Sequence, residues 1–222
     1  PIGVDEATNI IKAVADALIY MHETHHMLHL DLKPGNIMRR ASDGHIFLID
    51  FGLSKHYDAN GQPETSTTIG LGTAGYAPIE QGNKAKNGEF RPTIDVYALG
   101  ATFYKLLTRE TPPPASDLVS DDELLENNLR TKGVSEVYVN VISEAMCPNV
   151  RKRIQNIQSF KDKLLGAVGE THGLSKNNNI QETTEETLVT PMEVEPVVEV
   201  APTVDTEIDE GADKEIQEYH SV

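Results

Sequence analysis

Cysteine occurs once in the 222 residues, as Cys147, so an internal disulfide is excluded. A lone thiol fits a reducing, cytoplasmic setting. Long apolar runs are missing too: the greasiest stretch, Ile94 to Leu107, is broken by Asp95 and Lys105 and falls short of the roughly 20 residues that span a bilayer. No signal-peptide pattern follows Pro1. Positive charge is scarce, with 19 Lys and Arg against 35 Asp and Glu and a formal net charge of −16. That balance argues against nucleic acid as a partner, because phosphate-backbone binding depends on Lys and Arg.

What is present is 38% apolar residues, enough for one sizeable core. The charge is unevenly spread. Residues 170–222 hold 14 acidic and 2 basic side chains, near −12, so the preceding part is nearly balanced. From about Gly169 periodicity fails, Asn177-Asn178-Asn179 is followed by mixed Glu, Thr, Val and Pro, and no aromatic appears until Tyr219. The expectation is a globular unit over 1–168 and a disordered acidic tail or linker over 169–222.

The chemistry concentrates in His29-Leu30-Asp31-Leu32-Lys33-Pro34-Gly35-Asn36 and, fourteen positions after the Asn, Asp50-Phe51-Gly52. Ile37-Met38 and His45-Ile46-Phe47-Leu48-Ile49 read as a hairpin with Ser42-Asp43-Gly44 as its turn. A hairpin brings its ends together, so Asn36 at the entrance and Asp50 at the exit are expected side by side. Two oxygen ligands so placed suit Mg²⁺, which keeps waters and takes its other oxygens from phosphate. Asp31 is placed to accept a hydroxyl proton and Lys33 to meet a phosphate oxygen. These are the parts of a phosphoryl-transfer site, where positioning and charge neutralisation do most of the catalysis.

These residues resemble the catalytic loop and metal-binding motif of eukaryotic-type serine/threonine protein kinases, which are widespread in bacteria too. The resemblance implies an α+β, mainly α fold: the large C-terminal lobe of a kinase, with small β-hairpins at the site. It also implies ATP and Mg²⁺ as cofactors and a protein Ser or Thr hydroxyl as acceptor. Gly72-Thr73-Ala74-Gly75-Tyr76-Ala77-Pro78-Ile79-Glu80 resembles the end of the activation segment. The resemblance gives Thr73 a hydrogen bond to Asp31 and Lys33, and pairs Glu80 with a late Arg, best matched by Arg153. Leu30 departs from the family, which usually has an Arg there to dock a loop phosphate. Phosphorylation of Thr65, Ser66, Thr67 or Thr68 is therefore expected to matter less.

Around that centre, Ile10, Ile11, Val14, Ala17, Leu18 and Met21 recur at helical spacing, with Asp5 as the expected N-cap. His22, His25, His26 and His29 invite a zinc reading, but no Cys is near and the set straddles a helix end. A solvated helix terminus is the plainer expectation, with His29 organising the loop backbone. Thr93 is expected to cap a helix from Ile94 to Tyr104, apolar on nearly every face and so a core helix. Its Asp95 and Gly100 match the family's central helix, where the Asp reaches the catalytic-loop backbone; Tyr97 replaces the usual Trp. Further helices are expected at 121–129, 135–146 and 154–165.

A glycine-rich loop, a strand Lys and a helix Glu before the first helix are not found in these residues. The chain is accordingly expected to lack the small N-terminal lobe and, alone, to be inactive. Two alternatives stay open: a small-molecule kinase of the aminoglycoside or choline type, and a non-catalytic scaffold. Lys33 and the 72–80 segment count against the first; the retained Asp31, Lys33, Asn36 and Asp50 count against the second.

Overall fold

Helix α3 (Thr93–Thr108) is buried over its length except at Lys105 and Leu107, and the other helices are arranged about it. The computed structural model describes residues 2–58, 72–82, 91–176 and 219–221. Helix α1 (Val4–His25) turns its buried stripe of Ile10, Ile11, Val14, Leu18 and Met21 onto α3. Helices α6 (Glu136–Ala145) and α7 (Ile157–Lys176) close the other sides, α6 against both α3 and α7, and α7 also against α1. Each fully buried Leu, Ile or Phe in this core contributes about 1.5–3 kcal/mol of transfer free energy. Gly100 lets α3 and α6 approach closely, since a Cβ there would sit 2.7 Å from the Ala145 Cβ.

Short elements fill the rest: α2 (Ile79–Gly82), α4 (Ala115–Ser120) and α5 (Leu124–Thr131). Strand β1 (Met27–Leu28) pairs antiparallel with β4 (Lys55–His56). Strands β2 (Ile37–Arg40) and β3 (Ile46–Leu48) form the expected hairpin, with Met38 opposite Phe47. Gly44 takes the left-handed conformation its turn requires, at φ 76°. A third strand, β5 (Tyr219–Ser221), lies antiparallel on the free side of β2.

Several boundaries differ from expectation. Gly3, not Asp5, is the N-cap of α1, and its carbonyl accepts from Ala7 N–H at 2.9 Å. Asp5 lies within the first turn, where a carboxylate still meets the positive helix end. Pro92 occupies the cap position of α3; Thr93 lies inside the helix, and its buried hydroxyl has no hydrogen-bond partner among the described residues. The helix expected over 121–129 forms as α5, starting at Leu124, and α4 precedes it in a stretch where no helix was expected. The last helix begins at Ile157 and continues to Lys176, past the expected end of the globular part. Thr65 to Thr68 and most of the acidic tail lie outside the described residues.

Candidate active site

The catalytic-loop candidates sit between β1 and β2 and are suspended from α3. Asp95, fully buried in the first turn of α3, accepts the backbone N–H of His29 at 2.8 Å and of Leu30 at 2.9 Å. Its Oδ2 also meets His22 Nε2 at 2.8 Å. Burial pushes the Asp95 carboxyl up, but the His22 bond and the neighbouring imidazoles outweigh it and hold it below the ordinary carboxylate value. His22 is thus a buried partner of the loop's anchor, not a solvated helix-end residue. His25 packs against the Tyr20 ring, and His26 ends α1 in the left-handed conformation. Among the described residues, no group of three or more His, Cys, Asp or Glu is arranged to hold a metal ion.

Leu30 has φ 66°, a conformation that strains a non-glycine residue by about 1–3 kcal/mol. Three contacts hold it there. Its N–H is taken by Asp95, its carbonyl accepts Gln81 Nε2 at 2.6 Å, and its side chain is buried with Leu28 and Ile94. Gln81 was not singled out in the sequence, because nothing in a short helix after Pro-Ile-Glu marks a side chain that reaches back fifty residues. Gly72 makes room for it: a Cβ there would lie 2.8 Å from Gln81 Nε2 and 2.7 Å from the Ala77 Cβ. His29 accepts the Asp31 N–H on Nδ1 at 3.4 Å, while its Nε2 lies 3.3 Å from the Ile49 carbonyl.

The reversal of the chain at Leu30 aims Asp31 at a cluster of donors. Lys33 Nζ is 2.6 Å from Asp31 Oδ2, and Thr73 Oγ1 donates to Oδ1 at 2.7 Å. Lys33 also donates to Thr73 Oγ1 at 3.0 Å, closing a three-membered network. Asn36 Nδ2 donates to the Asp31 carbonyl at 2.8 Å and to Oδ2 at 3.3 Å. Partial burial pushes the Asp31 carboxyl up, but the Lys33 and Thr73 hydrogen bonds and the lysine charge more than offset this and hold it below the ordinary range.

The β2–β3 hairpin sets the other half of the site. Ile49 N–H donates to the Asn36 carbonyl at 3.0 Å, tying the strand exit to the strand entrance. Asn36 comes from a 3-10 turn (Pro34–Asn36), and its amide nitrogen is committed to Asp31, which leaves the side-chain oxygen as the atom that could meet a cation. Asp50 follows Ile49 in a left-handed conformation at φ 61°, with its carboxylate exposed and one oxygen accepting Gly52 N–H at 3.2 Å. A neutral amide oxygen and a carboxylate are hard oxygen donors, and this pair fits Mg²⁺ better than a softer metal.

The segment carrying Thr73 is held from below. Arg153, with a fully buried side chain, donates through Nη1 to Glu80 Oε1 at 2.5 Å and to the Thr93 carbonyl at 3.0 Å, and through Nε to the Cys147 carbonyl at 2.9 Å. Its guanidinium also lies 5.1 Å from the Tyr97 ring centroid. Residues 1–168 match the family model described as the protein kinase domain. The chain belongs to the protein kinase family. Among curated relatives, it is 28% identical to serine/threonine-protein kinase PknB of Mycobacterium tuberculosis over 171 residues, 74% of this chain and 26% of that protein. It is 34% identical to serine/threonine-protein kinase B of Synechocystis over 162 residues, 69% of this chain and 27% of that one. The chain therefore spans about a quarter of the length of these relatives. The solved structure of the Cydia pomonella granulovirus kinase PK-1 shares the fold, with a TM-score of 0.51 and 19% identity over 69% of this chain and 55% of that one. No helix among the described residues is long and apolar enough to cross a membrane.

Proposed function

We propose that this chain carries the catalytic large lobe of a serine/threonine protein kinase, which transfers the ATP γ-phosphate to protein hydroxyls. The observation that carries the reading is the convergence of Lys33 and Thr73 on the two oxygens of Asp31. Thr73 lies 42 positions from Asp31 in sequence, so this contact couples the activation segment to the loop. A small-molecule kinase gives neither Lys33 nor the 72–80 segment a task. The names of the relatives support Ser/Thr as acceptor.

In this reading Asp31 orients the acceptor hydroxyl and takes its proton. A carboxyl held below the ordinary range is a weak base, so the proton moves late, as bonding to phosphorus develops. Lys33 screens Asp31 and meets the phosphate; Thr73 holds both in register. Asn36 and Asp50 would hold Mg²⁺, which would neutralise charge on the phosphates. The small lobe that covers the nucleotide belongs to the same reading, and the chain alone is expected to be inactive. That expectation draws on the chain's quarter-length coverage of its relatives. In the same reading the protein works in the cytoplasm, where ATP is supplied.

The test is transfer of labelled γ-phosphate by the protein that contains both lobes, offered a Ser- and Thr-rich protein or a small amino alcohol. Phosphoserine or phosphothreonine on the protein supports the proposal. Label on the amino alcohol alone supports a small-molecule kinase, and no transfer to either supports a scaffold. Thr73→Val should lower kcat by about 10-fold, the worth of one charge-assisted hydrogen bond, with KM for ATP little changed. Unchanged kcat would remove Thr73 from the site.

A further inference from the structure

Strand β2 carries Asn36 at its entrance, and its two edges are used differently. Arg40 N–H donates to the His45 carbonyl at 2.9 Å, and Ile49 N–H to the Asn36 carbonyl at 3.0 Å. In an antiparallel ladder, backbone groups alternate sides. Positions 36, 38 and 40 therefore face β3, and 37 and 39 face the opposite edge. Ile37 N–H is already taken by the Pro34 carbonyl. Arg39 is thus the residue of β2 that offers both its N–H and its C=O to a further strand.

Strand β5 meets that offer. Its register sets His220 opposite Arg39, Ser221 opposite Met38 and Tyr219 opposite Arg40. Because Arg39 points its backbone groups toward β5, the Arg39–His220 pair exchanges both ladder bonds. β5 also touches the 3-10 turn that carries Asn36. Reach is no obstacle: residues 177–218 separate α7 from β5, and at about 3.3 Å per residue such a length can span on the order of 100 Å.

We infer that the outer edge of β2 is a strand-accepting site, filled within the chain by residues 219–221, through backbone pairing centred on Arg39 and His220. A two-stranded hairpin is marginal in water, and a third strand makes it a sheet. Occupancy of this edge thereby steadies the turn that presents Asn36. The register is that of an extended backbone, so the chemistry of the site is strand addition. The inference stands independently of phosphate transfer, because it concerns the pairing alone.

The experiment is residue-resolved amide hydrogen exchange on the 222-residue chain and on two variants. His220→Pro removes the N–H that faces Arg39, whereas Tyr219→Pro removes one that faces away, a place where an edge strand tolerates proline. With His220→Pro, exchange at the Arg39 amide is expected to rise by about 10-fold or more, while Met38 and Arg40, bonded to β3, hold their rates. Tyr219→Pro should leave Arg39 protected. Arg39 exchange that is equally slow in the parent chain and in His220→Pro overturns the inference. So does an equal rise at residues 38, 39 and 40, which would report opening of the whole hairpin.

Discussion

Asp31→Asn, made in the protein with both lobes, should lower phosphate transfer to a protein acceptor by about 10²–10⁴-fold, the range that a positioned acid–base group contributes. The substitution is nearly isosteric. The amide oxygen can still accept one hydrogen bond, from Lys33 or from Thr73, so the loop keeps its shape. What is lost is the negative charge and the capacity to take a proton. Because the loss is confined to the transition state, kcat and kcat/KM should fall together. The pH profile adds a second check. Asp31 is held below the ordinary carboxyl value of 3.8. The ionised form therefore persists into more acid solution than a free carboxylate would, and rate is lost only as pH falls through that lowered value. An acid limb near neutrality would assign the limb to another group. Transfer within threefold of the parent protein at neutral pH would falsify the role given to Asp31.

Much of this site was legible in the sequence because its spacing follows from elementary geometry. A hairpin with an Asn before it and an Asp after it can only bring the two together, and the bond between Ile49 and Asn36 reports that closure. Helices α1 and α3 were legible for a similar reason, since a stripe or an all-round apolar surface dictates what is buried. Helix ends were less so. Asp5 and Thr93 have good capping side chains, yet the chain enters each helix earlier, at Gly3 and Pro92, where tertiary packing and not side-chain capping decides the start.

Three contacts had no readable signal. His22 lies on the helix face that also carries Leu18, and its burial depends on a carboxylate 73 positions away. Gln81 reaches Leu30 only because Gly72 has no side chain. Strand β5 follows an acidic, aperiodic stretch, and a three-residue strand has no period to detect. Each is a long-range pairing that local pattern cannot encode. Arg153 was found because its match to Glu80 came from the family resemblance; its burial beneath Tyr97 did not.

Asp95→Ala should destabilise the fold by about 3–5 kcal/mol, the cost of breaking a buried, hydrogen-bonded charged group from one side. Three donors lose their acceptor at once: His22 Nε2 and the backbone N–H groups of His29 and Leu30. All lie where water cannot replace the lost oxygen, and Leu30 loses one of the contacts that hold its strained φ of 66°. Chemical denaturation at pH 7 measures the loss, and a change below about 1 kcal/mol would show that the loop does not hang from α3. Acid offers the sharper control. The folded Asp95 carboxyl is held below 3.8, so its contribution is fully present above the unfolded value and disappears as pH falls through the folded one. The gap between parent and variant should therefore narrow in acid. A gap of equal size at pH 7 and below the folded value would assign the destabilisation to lost packing, and the carboxylate would no longer be the loop's anchor.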